Sequence, residues 1–391
     1  MMEFFQIDPA ATQAVRARAA RQATTLAMGE LLARLGAGHS LADEELAAVF
    51  LSPHISTGEL LASAQACRPD GPHLETFSPL YITNECDAEC RMCGMRRTND
   101  DLVRASADRE TVEGQLGVLL HRGMRGVAIL AGEYRQGARR QAMIARSADA
   151  VGAALERGFM HVLVNIGALD TPEYETLLGR VGRRADGHVE PRVTMCTFQE
   201  TYDPTVYARF MGDEPENPRA DFARRLINFD RARAAGMWCA NPGVLLGLNH
   251  DLGYELLALL AHVAHLEQHG MCVYISVPRL RRASGTPYPA GVSDDALCRF
   301  VAVLALGRPT AKVVISTRES PAIQQRLAPV IGVLTPGSPG VAPYTLTGAR
   351  FELEASQFEV LDHRPFEEIL GDLLAAGATI DCFDARRPSA A

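Results

Sequence analysis

Short apolar runs alternate with helical patterns along most of the chain. The runs, rich in β-branched residues, occur at 80–84, 126–131, 160–167, 192–198, 240–248, 272–277, 312–316 and 330–335. Helical patterns fill the intervals at 110–123, 137–158, 172–182, 219–235, 252–268, 293–306 and 322–329. Strands that alternate with helices of this length predict a parallel sheet, and eight such units predict a (β/α)8 TIM-type barrel. A doubly wound open sheet is the alternative, but no GxGxxG follows the first strand.

The segments on either side of the barrel have a different pattern. Residues 1–75 are predicted to form a helical extension, with helices over 10–35, 41–51 and 59–67. Residues 76–360 are the predicted barrel domain. Residues 361–391 add a helix near 364–376 and a tail.

The composition narrows the range of functions. The chain has 391 residues, a formal net charge of −8 and no basic run that would bind a phosphate backbone. No apolar run reaches the roughly 20 residues of a membrane span, and residues 1–8 lack the pattern of a signal peptide. We therefore expect no nucleic acid or membrane partner and a cytoplasmic location. Nine cysteines, an odd number, favour metal-bound and free thiols over disulfides.

Three of the cysteines form a tight motif after the first predicted strand. Cys86, Cys90 and Cys93 are separated by three and then by two residues. Cysteine thiolates hold iron–sulfur clusters, and three of them on a [4Fe–4S] cluster leave one iron open to a non-protein ligand. A structural zinc site is the alternative, but it usually has four protein ligands, and no fourth cysteine or histidine lies nearby. Barrel enzymes carry out their chemistry in loops at this end of the strands.

The CxxxCxxC spacing resembles that of radical S-adenosylmethionine (SAM) enzymes, in which SAM binds the open iron and yields a 5′-deoxyadenosyl radical. Within that superfamily the chain resembles the aromatic amino acid lyases, and most of all those that form 3-methyl-2-indolic acid in thiopeptide antibiotic biosynthesis. The matching segments lie at 79–86, 90–96, 132–134, 165–167, 195–203, 241–247, 276–280, 316–319 and 336–344. The resemblance implies a radical SAM barrel with a [4Fe–4S] cluster, held by the three motif cysteines, and SAM.

The resemblance also implies which residues surround SAM. A methionine directly before the third cysteine would pack near the adenine. A Gly-Glu pair after the second strand resembles a Gly-Gly-Glu turn that receives the amino group of SAM, although Ala131 replaces the first glycine. Polar residues at the ends of the third and fourth strands would hydrogen-bond the ribose or methionyl part. These cofactor-binding candidates are Met92, Gly132, Glu133, Asn165 and Glu200.

A second group of residues would bind an amino acid substrate. Arg318 ends the seventh predicted strand, and its planar guanidinium suits two parallel bonds to a carboxylate, the role that the family gives to the matching arginine. Thr335 stands where the family has a carboxylate-binding serine, and Tyr81 matches a tyrosine near the substrate amino group. A structural ion pair is the alternative for Arg318. Arg279 is a further inward-facing candidate.

The resemblance implies a carbon–carbon lyase that removes an amino hydrogen of L-tryptophan, breaks a bond at Cα and returns the carboxyl fragment to indole C2. The product would be 3-methyl-2-indolic acid. A tyrosine lyase giving p-cresol and dehydroglycine is the first alternative, because an arginine clamp does not distinguish two α-amino acids. A non-catalytic iron–sulfur or zinc protein is the distant alternative. The expected partners are the amino acid and an electron donor such as flavodoxin or ferredoxin.

Two remaining patterns receive structural interpretations. His262, His265 and His269 share a predicted outer helix at spacings that can bind metal, but we expect them to form a solvated helix face. The six cysteines outside the motif are scattered, and we expect them to be buried as small apolar side chains.

Overall fold

The computed structural model describes residues 4–24, 28–68, 70–182, 189–287 and 291–385. The outermost residues of the predicted N-terminal extension and C-terminal tail therefore lie outside the described residues. Within the described ranges, no helix combines the length and the apolar character needed to cross a membrane.

A sheet of ten parallel strands forms the centre of the described structure, and two further strands form a separate pair. The strands are β1 (His73–Thr76), β2 (Ser78–Tyr81), β3 (Gly126–Leu130), β4 (His161–Asn165), β5 (Val193–Cys196), β6 (Cys239–Asn241), β7 (Cys272–Ser276), β8 (Lys312–Ser316), β9 (Val333–Thr335), β10 (Tyr344–Thr345), β11 (Gly348–Ala349) and β12 (Thr379–Asp381). One sheet has the order β12-β1-β9-β8-β7-β6-β5-β4-β3-β2, and β10 and β11 form a separate antiparallel pair.

The sheet closes into a barrel at Phe77. β1 ends at Thr76 and β2 begins at Ser78, so one continuous segment forms both strands. β1 pairs with β9, whereas β2 pairs with β3 on the opposite side. The hydroxyls of Thr76 and Ser78 donate to the carbonyls of Leu334 and Pro336 at 2.8 and 2.9 Å, across the seam. The predicted (β/α)8 barrel is therefore confirmed, and the open-sheet alternative is wrong.

All eight predicted barrel strands are present, although most are shorter than the apolar runs that predicted them. Two further strands join the sheet from the segments 1–75 and 361–391, which the sequence analysis separated from the barrel. These are β1 and β12, and they pair with each other from His73 opposite Thr379. The strand-forming part of the barrel therefore extends beyond the predicted domain limits 76 and 360.

Helices surround the barrel and form the N-terminal segment. They are α1 (Pro9–Gln22), α2 (Met28–Gly36), α3 (Asp43–Leu51), α4 (Thr57–Ala66), α5 (Arg109–His121), α6 (Ala138–Glu156), α7 (Thr171–Val181), α8 (Pro204–Met211), α9 (Phe222–Leu226), α10 (Asn228–Ala234), α11 (Leu252–Gln268), α12 (Asp294–Gly307), α13 (Pro321–Leu327) and α14 (Phe366–Ala375). The predicted helix 219–235 is two short helices, α9 and α10, and α8 is an addition. Arg299 of α12 holds the N-terminal segment by donating to the carbonyls of Val49, Phe50, Ser52 and Ile55.

The predicted solvated histidine face on α11 is wrong. His262 is only 1% exposed, stacks on Phe5 at 4.2 Å, and lies 2.7 Å from the hydroxyl of Tyr202 through its Nδ1 atom. His265 contacts the buried carboxylate of Asp230 at 2.8 Å. The N-terminal segment covers this face, and the spacing of the histidines along α11 does not show that cover. Burial lowers the pKa of His262 to about 3, so the ring is neutral.

A buried carboxylate links four strands in the lower half of the barrel. Glu75 of β1 forms an ion pair with Lys312 of β8, the only lysine of the chain. It also accepts from the Tyr274 hydroxyl of β7 at 3.0 Å and lies 3.4 Å from His161 Nδ1 of β4. Burial raises the pKa of Glu75, but hydrogen bonds from His161 and Lys312 outweigh burial and lower the pKa to about 2.

We predict that Glu75→Gln lowers the free energy of unfolding by about 3 kcal/mol at neutral pH. The folded-state pKa lies below the unfolded value of 4.5, so this stabilisation is present above 4.5 and is lost as the pH falls towards about 2. Denaturant unfolding at about pH 7 and about pH 3 should therefore show a difference from wild type that narrows in acid. The exposed substitution Glu175→Gln in α7 is the matched control. An equal difference in the free energy of unfolding at both pH values would show that the ionised Glu75 carboxylate is not the source of the stabilisation.

Candidate active site

A cavity of about 200 Å³ lies at the carboxyl ends of the barrel strands. Parallel topology brings these ends to one rim, where residues distant in sequence meet. All eleven candidate site residues line this cavity: Tyr81, Cys86, Cys90, Met92, Cys93, Gly132, Glu133, Asn165, Glu200, Arg318 and Thr335. The structure thus brings the two predicted groups of residues into one site.

The cysteine loop follows β2 and forms one wall of the cavity. Cys90 is 2% exposed, and Cys86 and Cys93 are partly buried. Backbone N–H groups of Ala88 and Glu133 point at Cys86 Sγ from 3.4 and 3.3 Å. The side-chain amide of Gln357 donates to Cys93 Sγ at 3.4 Å. Met92, which is 5% exposed, packs in the same apolar cluster as Cys90.

The turn after β3 lies directly against the cysteine loop. A Cβ atom added to Gly132 would lie 2.1 Å from the carbonyl oxygen of Glu85 and 2.7 Å from Cys86 Cβ. Such contacts are too short for any side chain, so glycine is required for the approach. The next residue, Glu133, is 6% exposed and also lines the cavity.

Two arginines flank the Glu133 carboxylate. Arg225 Nη1 donates to Glu133 Oε1 at 2.6 Å, and Arg219 Nε lies 3.2 Å from the same oxygen. Burial favours the neutral acid, but Arg225 and Arg219 outweigh burial and hold the pKa of Glu133 below its ordinary value. The second oxygen, Oε2, is buried and has no hydrogen-bond partner among the described residues. An ionised carboxylate with an open oxygen suits a ligand ammonium group.

Glu200 is joined to the same group of charges. Its Oε1 atom accepts from Arg219 Nη2 at 2.7 Å, so Arg219 contacts both predicted cofactor-binding carboxylates. The Glu200 backbone has φ of +70°, a left-handed conformation that is uncommon for a residue with a side chain. Asn165, at the carboxyl end of β4, also lines the cavity.

Arg318 lies on another part of the rim, after β8. Its guanidinium stacks over the Phe358 ring at 3.3 Å, and Nη1 donates to the carbonyl of Arg279 at 3.3 Å. No carboxylate of the described residues forms an ion pair with Arg318, so the structure does not support the structural ion-pair alternative. Burial lowers the pKa of Arg318 to about 10. The site therefore contains a partly buried cation with no protein counter-ion among the described residues.

Tyr81 and Thr335 line the cavity from β2 and β9. The Tyr81 hydroxyl is 2.6 Å from Gln357 Oε1, to which it donates. Thr335 is 9% exposed, and its carbonyl accepts from Thr317 N–H at 3.3 Å, next to Arg318. This places a threonine hydroxyl at the strand end beside the one that carries the arginine.

Comparisons with known proteins agree with this architecture. Residues 276–379 match the family described as the Biotin and Thiamin Synthesis associated domain. The 2-iminoacetate synthase of Escherichia coli strain K12 is 26% identical over 313 residues, which are 78% of this chain and 77% of that protein. The crystal structure of HydG, a maturase of the [FeFe]-hydrogenase, superposes with a TM-score of 0.79 and 28% identity, over 95% of this chain and 80% of that one. Methylornithine synthase (PylB) has a TM-score of 0.68 and 16% identity, covers 90% of this chain and 97% of its own, and shares the fold.

These relatives, the barrel and the cysteine loop at its rim decide the class of protein. The chain is a radical SAM enzyme. A [4Fe–4S] cluster and SAM are its cofactors. The non-catalytic alternative is therefore wrong.

The residues of this radical SAM enzyme fit its cluster. Three thiols line one wall, and two of them receive N–H donors, Cys86 from the backbone and Cys93 from Gln357, as cluster sulfurs commonly do. Burial raises the pKa of the Cys86 thiol to about 12, so metal binding must displace its proton. Among the described residues no three or more cysteine, histidine or acidic side chains converge on a single ion. Three cysteine ligands leave one iron of a cluster open for SAM, whereas a structural zinc site usually has a fourth protein ligand.

Several residues of the radical SAM site escaped the sequence analysis. Arg219 and Arg225 line the cavity and neutralise Glu133, and Gln357 and Phe358 reach it from the segment after β11. Arg219 and Arg225 fall in the predicted helix 219–235, but none of the four lies in a motif, so the sequence offers no local signal for a role in the site. Pocket-lining Cys196 is buried, as predicted for the scattered cysteines, and its thiol donates to Asn241 Oδ1. Cys67 and Cys272, by contrast, are exposed.

Arg279, predicted as a further inward candidate, is part of a structural ion pair. Its guanidinium forms ion pairs with Glu319 and with Asp294 Oδ1, the latter at 2.7 Å. It is 4% exposed and does not line the cavity. Glu319, which comes directly after Arg318, is not part of the cavity lining and holds Arg279 in this ion pair.

We predict that Gly167→Ala weakens SAM binding by about tenfold or more without loss of the cluster. Gly167 has φ of +91°, and an added Cβ would lie 2.3 Å from Cγ and 2.5 Å from Oε2 of Glu133. The carboxylate expected to receive the SAM amino group would have to move. SAM binding is measured by equilibrium dialysis and by the SAM-dependent change in the EPR spectrum of the reduced cluster.

Gly179→Ala is the matched control, because an added Cβ there has nothing within 4 Å. Iron and sulfide content shows whether each variant is loaded. Wild-type SAM affinity in a loaded Gly167→Ala protein would contradict a role of Glu133 in binding SAM.

Proposed function

We propose that this enzyme is an aromatic amino acid lyase, that its substrate is L-tryptophan and that its product is 3-methyl-2-indolic acid. One observation carries the amino acid part of the proposal. Arg318 places a partly buried guanidinium at the rim of the cavity, and no described carboxylate pairs with it. The cysteine loop lies on the wall of the same cavity. A substrate anion at Arg318 would therefore lie beside the radical source.

The electrostatics of Arg318 favour a carboxylate ligand. A buried charge without a counter-ion is costly, and a bound anion would remove that cost. The Phe358 ring at 3.3 Å fixes the plane of the guanidinium and so directs its paired N–H donors. Of the other arginines that line the cavity, Arg219, Arg225 and Arg281 already have protein carboxylates, whereas Arg96 donates to the carbonyl of Gly285. Arg318, stacked on Phe358, is therefore the anion site that we propose.

The neighbouring residues support one orientation of the substrate. With the carboxylate at Arg318 and Thr335, the amino group would lie near Tyr81 of the adjacent strand. The aromatic ring would then enter the floor of the cavity, which is formed by apolar side chains. These are Phe77, Ala128, Leu163 and Val314. Such an arrangement is the placement on which a radical reaction depends, since small misplacements cost large factors in rate.

When bound, the cluster and SAM supply a 5′-deoxyadenosyl radical, and the protein supplies orientation. In the proposed reaction, one amino hydrogen of L-tryptophan leaves as a hydrogen atom. The bonds from Cα to the carboxyl carbon and to Cβ both break. The carboxyl carbon joins indole C2 in place of the hydrogen there, Cβ becomes the methyl group, and Cα leaves with the amino nitrogen as a one-carbon imine. The residues of this chain would keep the amino group towards the cysteine loop and hold the carboxyl group until it is transferred. An electron donor such as flavodoxin or ferredoxin, a cytoplasmic location and a role in antibiotic biosynthesis stay predictions from the sequence.

L-Tyrosine is the second candidate substrate, and one finding favours it. A relative that aligns with 78% of this chain is a 2-iminoacetate synthase, and dehydroglycine is another name for its 2-iminoacetate product. The floor of the cavity favours indole instead. Its polar groups, Asn241, Ser276 and Cys196, are hydrogen-bonded to one another. A phenol hydroxyl needs a donor and an acceptor to be satisfied, whereas the indole N–H needs a single acceptor.

Turnover with the two amino acids tests the substrate. We predict that the anaerobically reconstituted and reduced enzyme converts L-tryptophan and SAM to 3-methyl-2-indolic acid and 5′-deoxyadenosine. Mass spectrometry follows both products, and parallel reactions contain L-tyrosine. Release of p-cresol from tyrosine, with tryptophan unchanged, would refute the tryptophan assignment and support the tyrosine lyase.

Arg318→Met tests the anion site. The variant keeps most of the side-chain volume but loses the charge, and we predict that kcat/KM for the amino acid falls by about 10²-fold or more. Cluster content and SAM affinity should stay normal. Wild-type enzyme should strongly prefer tryptophan to tryptamine, which lacks the carboxylate, and the variant should lose this preference. Arg326→Met on the exposed face of α13 is the control, and equal tryptophan kinetics in the two variants would refute the proposed role.

A further inference from the structure

The chain crosses the mouth of the barrel after β11. Backbone hydrogen bonds fix this mouth segment, residues 351–362, at both sides. On the side of the cysteine loop, Gly94 N–H donates to Gln357 O at 3.0 Å and Val103 N–H donates to Glu354 O at 2.7 Å. On the side of Arg318, Leu361 N–H donates to Thr317 O at 2.9 Å. The mouth segment is therefore held between the metal loop and the rim that carries the arginine.

One side chain of the mouth segment contacts both a cluster ligand and a predicted substrate-binding residue. Gln357 Oε1 accepts from the Tyr81 hydroxyl at 2.6 Å, and Gln357 Nε2 donates to Cys93 Sγ at 3.4 Å. The chemistry of the two partners supports this orientation of the amide. A phenol hydroxyl can donate or accept, but a thiolate sulfur can only accept, so the reversed amide would lose the bond to the sulfur.

The backbone keeps Gln357 close to the cysteine loop. A Cβ atom added to Gly94, which directly follows Cys93, would lie 2.9 Å from the carbonyl oxygen of Gln357. Glycine at 94 therefore allows the two segments to touch. The contact between Gln357 and Cys93 is therefore supported by the close packing of the two backbones and does not depend on the side-chain rotamer alone.

We propose that Gln357 is a positioning residue that sets the reduction potential of the cluster through Cys93 and holds the Tyr81 hydroxyl in place for the substrate. The second part rests on the proposed function, because only there does Tyr81 receive a substrate amino group. An N–H donor stabilises the more negative, reduced state of a cluster more than the oxidised state, and hydrogen bonds to the sulfurs are among the factors that set cluster potentials. Loss of this N–H should make the cluster harder to reduce.

Two substitutions separate the two contacts. Gln357→Leu removes both the amide N–H and the amide oxygen. Gln357→Glu keeps an oxygen that can accept from Tyr81, but it replaces the N–H donor at Cys93 with a carboxylate oxygen. Gln325→Leu, on the exposed face of α13, is the matched control. Iron and sulfide content is measured first, so that only loaded proteins are compared.

The main readout is an EPR-monitored redox titration of the loaded protein without amino acid. We expect about tenfold less reduced cluster at a given potential in both Gln357 variants, which for one electron equals a shift of about 59 mV to more negative values. Gln325→Leu should titrate as wild type. An unchanged potential in loaded Gln357→Leu and Gln357→Glu would overturn the proposed effect on the cluster.

Kinetics with the amino acid test the contact with Tyr81. KM should rise in Gln357→Leu, as in Tyr81→Phe, and should stay closer to the wild-type value in Gln357→Glu. An unchanged KM in Gln357→Leu would overturn the positioning of Tyr81. If no aromatic amino acid is turned over, the proposed function fails, whereas the titration still decides the effect of Gln357 on the cluster.

Discussion

Burial of charge at the mouth of the barrel is the constraint on which this site depends. Glu133 and Glu200 are nearly inaccessible, and Arg219 and Arg225 form ion pairs with them. Each of these charges would be costly alone, because a low-dielectric site penalises a single ion far more than a pair. The ion pairs with the arginines therefore allow two carboxylates to line the cavity. It also leaves one oxygen of Glu133 free for a ligand.

The same constraint explains why Arg318 stands apart. The protein pairs Arg279 and Arg281 with Glu319, the residue directly after Arg318 in the sequence, and leaves Arg318 on an aromatic ring. The face of an aromatic ring attracts a cation and so offsets part of the free-energy cost of removing the guanidinium from water, but it does not neutralise the charge. The rim is therefore charge-balanced on the side of Glu133 and unbalanced on the side of Arg318. An amino acid brings both an ammonium and a carboxylate, and it can satisfy the second side through its carboxylate.

Close backbone approach is the second physical requirement of the site. Gly132 allows the turn after β3 to touch the cysteine loop, and Gly167 leaves room for the Glu133 side chain. The barrel closes at Phe77, which separates two strands of one continuous segment. The first, β1, pairs with β9 and the second, β2, pairs with β3, so this segment joins the two sides of the sheet. Because the cysteine loop follows directly from the second of these strands, its position is fixed by barrel closure. The metal-binding motif is thus placed by the geometry of the whole sheet.

These relations show what a sequence can predict here. Apolar runs predict the eight barrel strands, and parallel topology then gathers residues at their carboxyl ends, so Asn165 and Arg318 could be expected at one rim. Ion pairs such as Arg219 with Glu133 join a loop to a distant strand end, and no local pattern encodes them. The cover of His262 by Phe5 is likewise a tertiary contact between distant segments. Sequence patterns predict elements and motifs, whereas the partners that neutralise a buried charge depend on how the elements pack.

The mouth segment connects the two halves of the site. Gln357 contacts the cysteine loop and Tyr81, and the next residue, Phe358, supports the guanidinium of Arg318. Adjacent residues of one chain segment move together, so a displacement of this segment would weaken the contact at Cys93 and the stacking at Arg318 at once. The hydrogen bond to Cys93 and the position of the Arg318 guanidinium are therefore linked through this segment. A radical enzyme benefits from such a link, because its radical source and its substrate must be in position at the same time.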